Sequence, residues 1–263
     1  MKEKSWRCTL IAQLSLCAAA YIALNIGQPQ NQNQKLTHGR RSSSHIYFIT
    51  VNGGSTSLQQ QTLLLQQMVK VKRICDIRFV IDISELGESE PLLQNATMFP
   101  ELLNMPWYTC GNLRRQGETY SVTKIEIPHG RTLDIIALDT VLFQDPSSAR
   151  GNDQILWLRK TLNESDSDWK IVVGFDPLIS FESLHSTLLH YGADAYMSTK
   201  TCDAEAQGLY ITAFNHNSIS KVETVNGFLL HRVSSLEMVT FAVKLTGEVE
   251  RKLSFRQRGR SSI

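Results

Sequence analysis

Residues 45–54 read His45-Ile46-Tyr47-Phe48-Ile49-Thr50-Val51-Asn52-Gly53-Gly54, a short apolar run closed by a glycine pair. A run of that kind, bounded by turn residues, predicts a buried strand over 45–51 and then a loop. From Leu58 to Ile74, Leu64, Met68 and Val71 recur at helical spacing. Basic residues gather toward the end of that segment, where they complement the negative pole of a helix dipole. Arg78-Phe79-Val80-Ile81-Asp82-Ile83 predicts the next strand. Strand, helix and strand in that order argue for a parallel βαβ unit.

The pattern recurs further along. Leu133–Asp139 and Lys170–Gly174 predict strands, Asp153–Leu162 and Ser180–Tyr191 predict helices, and Asp194–Met197 predicts a further strand after Gly192. Beyond it the chain reads as strand only, over Leu209–Thr212, Gly227–Val233, Leu236–Leu245 and Glu248–Phe255, with Thr246-Gly247 as a hairpin turn. The expected architecture is an α/β chain with an antiparallel C-terminal half, compatible with two sheets packed face to face between helices.

Composition narrows the function classes. The 263 residues are 42% hydrophobic and 20% charged, which excludes wholesale disorder and a many-span membrane bundle. Lys+Arg 27 against Asp+Glu 25 leaves a net charge of +2, with no basic stripe of the kind that binds nucleic acid. No nucleic-acid partner is expected.

The N-terminus reads as a targeting segment. Lys2, Lys4 and Arg7 precede an apolar run from Cys8 to Ile26, so residues 1–27 form a signal peptide or a retained signal anchor. The run approaches the ~20 residues that cross a bilayer, whereas Gln13 and Ala18-Ala19-Ala20 suit a cleaved signal. The expected location is the secretory pathway, as a secreted or single-pass type II membrane protein that meets the membrane only through this segment. Residues 28–44 are a polar linker, 45–256 the folded domain and 257–263 a basic tail. Two sequons, at Asn95 and Asn163, are candidate glycosylation sites on that route. Cys75, Cys110 and Cys202 are too few and too widely spaced for a disulfide framework or a zinc pattern, and at most one bridge can form.

In open α/β sheets, ligands bind beyond the carboxyl ends of parallel strands. The loops to inspect therefore follow Val51, Ile83, Cys110, Val173 and Met197. Pro106-Trp107-Tyr108-Thr109-Cys110-Gly111-Asn112 resembles the approach to the G-N-H-D motif of calcineurin-like metallophosphoesterases. Ile136-Ala137-Leu138-Asp139-Thr140, then Gln154-Ile155-Leu156-Trp157-Leu158, then Trp169-Lys170-Ile171-Val172-Val173-Gly174, closely resemble the purple acid phosphatases, especially the small plant ones. Tyr191–Met197 is similar to the approach to the family's last G-H-x-H motif. The resemblance spans His45 to Phe255 and implies a four-layer α/β/β/α sandwich with mixed sheets.

It also implies hydrolysis of phosphate monoesters by two cations that clamp the phosphate and activate a water. The family's ligands are an Asp after the first strand, the Asp and Tyr of G-D-x-x-Y, the Asn of G-N-H-D, the His of V-x-x-H and both His of G-H-x-H. Carried over, these positions hold Asn52 or Gly53, Glu85, Glu88, Asn112, Phe175, Lys200 and Cys202. The two assisting residues of G-N-H-D become Leu113 and Arg114. Phe175 offers no lone pair, and a charged Lys200 repels a cation. At ~4 Å and an effective dielectric near ~20, each pair of unit charges costs ~4 kcal/mol, and a divalent ion doubles it. No catalytic residue and no metal cofactor is therefore expected.

Several readings of the surviving groups remain open. Glu85, Glu88, Asn112 and Asp176 could hold an oxygen-loving cation, or Lys200 and Arg114 could pair with Glu85 and Glu88. Arg114 and Lys200 could also form a pocket for a phosphorylated ligand or other anion. The alternative to an inactive binding protein is an active acid phosphatase with a rebuilt site and a divalent metal pair of Fe, Zn, Mn or Mg.

Overall fold

A computed structural model describes residues 44–53, 57–84, 90–109, 120–145, 147–200, 208–215 and 218–258, all within the unit Ser42–Ile263. The side chains of Lys200 and Val225 are outside the description. The described residues contain twelve strands in two six-stranded sheets.

The first sheet starts from β1 (His45–Val51), followed by α1 (Leu58–Ile74) and β2 (Ile77–Asp82). After the short helices α2 (Pro91–Ala96) and α3 (Pro100–Leu103) comes β3 (Trp107–Thr109). These three strands are parallel, as the βαβ reading requires. Helix α1 starts where Ser57 and Gln60 cap each other reciprocally and ends with Lys72 and Arg73 in its last turn.

The second sheet contains β4 (Ser121–Ile127), β5 (Arg131–Ala137), β6 (Trp169–Val173), β7 (Ala195–Lys200), β8 (Gly208–Phe214) and β9 (Ile219–Val225), in that order across the sheet. Helices α4 (Ala149–Glu164) and α5 (Glu182–His190) make the crossovers between its parallel strands β5, β6 and β7. The chain then returns to the first sheet as β10 (Gly227–Ser234), β11 (Glu237–Lys244) and β12 (Val249–Arg256), giving the order β12-β11-β10-β1-β2-β3. The β11–β12 turn places Gly247 at φ +88, a conformation glycine adopts without steric cost.

Side-chain alternation sorts the core into three parts. Phe48, Phe79, Ile81 and Ile83 meet Leu133, Ile171, Met197 and Ile211 between the sheets. Ile49, Val51 and Val80 face Leu65, Met68 and Leu92 on the first helical layer. Ile136, Val172, Tyr196 and Phe214 face Leu158, Leu162, Leu184 and Leu188 on the second. Three cores between four layers make the α/β/β/α sandwich.

Polar ties cross the apolar interior between the sheets. The Trp169 indole donates to the carbonyl of Ser234 at 2.8 Å. His231 is wholly buried, stacked on Phe48, and lies between Thr50 (3.0 Å) and Thr240 (2.9 Å). Because the Thr50 hydroxyl donates to Met197 Sδ, its oxygen accepts from His231 Nε2–H, and Thr240 donates to Nδ1. Burial lowers the His231 pKa to about 3, so the ring is neutral.

Two strands escape a search for apolar runs. β4 and β9 are the edges of the second sheet, and both carry charged residues at alternate positions, Lys124 and Glu126 in one and Lys221 and Glu223 in the other. Gln257 and Arg258, assigned to the basic tail, are half-buried. The Arg258 amide donates to Asp194 and its guanidinium to the carbonyls of Leu189 and Ala193 at the end of α5. Among the described residues no helix is long and apolar enough to cross a membrane; the apolar run 8–26 lies outside them.

Candidate functional site

The parallel strands β1, β2 and β3 of one sheet and β5, β6 and β7 of the other release their carboxyl-end loops around the crevice where the family chemistry is expected. Glu85, Glu88, Asn112, Leu113, Arg114 and Cys202 lie outside the described residues, as does the Lys200 side chain. Asn52, Gly53, Phe175 and Asp176, in two of the five loops, are described.

After β1, Asn52 is half-buried and its Oδ1 has no hydrogen-bond partner among the described residues. Gly53 is buried, with the Glu90 carboxyl group packed where a Cβ would sit. No side chain fits at Gly53 unless Glu90 moves. Glu90 itself accepts from the Ser84 hydroxyl and from the Leu92 amide at the start of α2.

Asp82, at the end of β2, is fully buried and accepts from the Gly53 amide at 3.0 Å. Its Oδ2 has no hydrogen-bond partner among the described residues. Desolvation, reinforced by the Glu90 charge and opposed by the Gly53 N–H, raises its pKa to about 8. Asp82 therefore keeps its proton at neutral pH, as a carboxyl beside a second carboxyl must if neither finds a cation. By sequence pattern Asp82 is one more residue of an apolar strand. Its signal was an acid inside that run, and Glu90 lay beyond every motif.

After β6 the backbone turns at Gly174, where an added Cβ would overlap the Tyr196 hydroxyl and Thr140. Phe175 then packs its ring against the core between the sheets, while its carbonyl accepts from the Thr199 amide and hydroxyl. The Asp176 carboxylate accepts from the Thr140 hydroxyl at 2.8 Å, and its amide donates back to the same oxygen at 3.0 Å. Asp176 is thus committed to the loop after β5. The oxygen cluster expected to include it loses a ready member.

At the described positions the donors do not fit a transition-metal pair. Gly53 supplies no atom, Phe175 no lone pair, and Asn52 a single amide oxygen. Among the described residues no group of three His, Cys, Asp or Glu side chains is placed to hold a metal ion. Of the cysteines, Cys75 is a free thiol at the end of α1, its pKa pushed up by burial, while Cys110 and Cys202 lie outside the described residues. Of the sequons, Asn163 is exposed on α4, and Asn95 on α2 donates to Gln61 at 2.6 Å.

The fold is metallophosphoesterase-like. It is similar to the solved structure of GAP50, the anchor in the inner membrane complex of Plasmodium, at a TM-score of 0.58 and 16% identity, covering 83% of this chain and 90% of that one. Two further structures match more loosely. One is a predicted phosphoesterase of Streptococcus pneumoniae (TM-score 0.39, 11% identity, 81% and 98% covered), and the other a phosphatase from Mycoplasma pneumoniae (0.40, 12%, 81% and 93%). No protein-family model and no curated protein matches the sequence.

Proposed function

We propose that this chain is a purple acid phosphatase-like protein of the secretory pathway that has lost phosphate-ester hydrolysis and acts by binding. The observation that carries the reading is the chemistry at the described ligand positions, Asn52 or Gly53 after the first strand and Phe175 after β6. Gly53 is closed off by Glu90, and Phe175 is packed into the apolar core where the family resemblance puts an imidazole. Glu85, Glu88, Lys200 and Cys202 at the remaining positions replace the family's Asp, Tyr and two His, leaving Asn112 alone as a retained ligand type. Fold survives that loss because the three cores do not depend on the loop ligands.

The similarity to GAP50, described as an anchor, supports a binding role for a sandwich of this kind. The basic-flanked apolar segment at residues 8–26 supports delivery to the secretory pathway, as a secreted protein or one held by that segment. By the family resemblance Arg114 and Lys200 stand at positions of the former site, and two cations there would suit a phosphorylated or other anionic ligand bound without cleavage.

Elemental analysis of the purified full chain, combined with a p-nitrophenyl phosphate assay across Fe, Zn, Mn and Mg, tests this. The expected result is less than one tightly bound metal per chain and no turnover above background. Stoichiometric metal, with hydrolysis that Glu85→Ala abolishes, overturns it in favour of a working phosphatase with a rebuilt site.

A further inference from the structure

A second site lies on the other face of the second sheet. Leu209, Ile211 and Val222 point into the core between the sheets, so their neighbours Tyr210, Thr212, Lys221 and Glu223 project to the opposite face. Helices α4 and α5 cover that face over β5, β6 and β7. Beside α5 a cavity of about 600 Å³ opens over β8 and β9, walled on its apolar side by Leu178, Ile179 and Ile219. Its size and apolar walls fall within the range of small-molecule sites.

Three polar side chains facing this cavity make no hydrogen bond or ion pair among the described residues. Thr212 is 2% exposed, yet its hydroxyl makes no hydrogen bond among the described residues. Its oxygen opens on the cavity instead of meeting a protein partner. Lys221 has no carboxylate within ion-pair distance among the described residues, and its Nζ lies 5.7 Å from the centre of the Tyr210 ring. His185, on the facing turn of α5, rests its ring against Phe214 and makes no side-chain hydrogen bond among the described residues. The start of α5 at Phe181 has no side-chain cap, which leaves its first amides without one.

We infer that this cavity binds an amphiphilic organic monoanion, a carboxylate with an aliphatic or aromatic body. The head meets Lys221 and the Thr212 hydroxyl, and the body lies against Leu178, Ile179 and Ile219. A single charge is specified by the lining. Among the described lining residues Lys221 is the one Lys or Arg side chain, while Glu182 and Glu223 stand on the same walls and disfavour a second negative charge on the ligand. Glu223 is itself matched by Arg251 at 3.9 Å, so it does not neutralise Lys221 alone. The inference does not rest on the reading of the former metal site, although Pro177 and Thr199 of the lining adjoin Asp176 and Lys200 in sequence.

Calorimetric titration of the full chain with octanoate, octanol and octyl phosphate tests it. Octanoate should bind saturably at one site, with octanol and octyl phosphate each at least tenfold weaker. Lys221→Ala should weaken octanoate about tenfold, the loss expected for one charge-assisted hydrogen bond, and leave octanol unchanged. Ile219→Trp, which fills the cavity from an exposed edge strand, should abolish both. Lack of saturable octanoate binding below about 1 mM overturns the inference. So does binding that neither substitution alters, or an octyl phosphate affinity equal to that of octanoate. Far-ultraviolet circular dichroism on each variant confirms that a lost signal comes from the site.

Discussion

The carboxyl of Asp82 accepts a 3.0 Å hydrogen bond from the amide of Gly53, tying the end of the second strand to the loop that follows the first. Glu90 closes the same corner, so two acids and a glycine meet where the loop after the first strand begins.

That corner has a pH signature. The folded Asp82 pKa of about 8 lies above the ordinary carboxylate value, so the folded state holds a proton that the unfolded state releases. Stability from this group is fully present below about pH 4 and is lost as pH rises toward 8. Asp194, raised to about 6 by burial, has the same sign over a lower window. His231, lowered to about 3, has the opposite sign and withdraws stability as pH falls from about 6.5 to 3. Between pH 6.5 and 8.5 Asp82 dominates. Urea denaturation should show the wild type weakening by a few kcal/mol over that interval, and Asp82→Asn should flatten the slope. An equal slope in the variant refutes this account.

Restoring family residues should not restore chemistry. Gly53→Asp must expel Glu90 from its bonds with Ser84 and the Leu92 amide. It should cost about 2 kcal/mol or more and bring no metal with it. Gly53→Ala should show the same steric cost, and Glu90→Ala in that background should recover part of it. Thermal melts on the single and double variants measure the coupling.

Phe175→His tests the other described position. The ring packs on the core between the sheets, so an imidazole there loses apolar contact and should cost about 1–3 kcal/mol. Metal content should stay at the wild-type level. Zinc taken up stoichiometrically by this single variant shows that the neighbouring donors are better arranged than the sequence suggests.

His231 should prove structural. Replacing it with Leu leaves the hydroxyls of Thr50 and Thr240 buried without their ring partner and should lower stability by about 2–4 kcal/mol. Nitrogen-15 spectra should show the Nε2–H tautomer down to about pH 4. A ring that titrates near 6.5 contradicts the hydrogen-bond chain.

The last described residues should act as a clasp. Gln257 bonds the carbonyls of Leu236 and Asp168, and Arg258 bonds Asp194 and the end of α5, so the pair spans both sheets. Deleting residues 257–263 should cost about 1–3 kcal/mol, whereas deleting 259–263 should cost little. Equal losses from both truncations refute it.

Much of the architecture was legible because burial writes periodicity into a chain. The strand 45–51 and the helix 58–74 have the bounds their patterns predict, since each has one apolar face and clear stops. β4 and β9 were harder, because an edge strand exposes one face and guards it with charge. Short α2 and α3 have no period long enough to read. At the positions that the family resemblance marks as ligands, the sequence alone reports the replacements Phe175, Lys200 and Cys202.

Where those losses lead was decided in three dimensions. That Phe175 joins the core, that Asp176 turns to Thr140, and that Glu90 fills the space at Gly53 depend on contacts between residues far apart in the chain. Pattern along a sequence records which face of an element is buried. It does not record which distant side chain shares that space, because packing and desolvation act on neighbours in space.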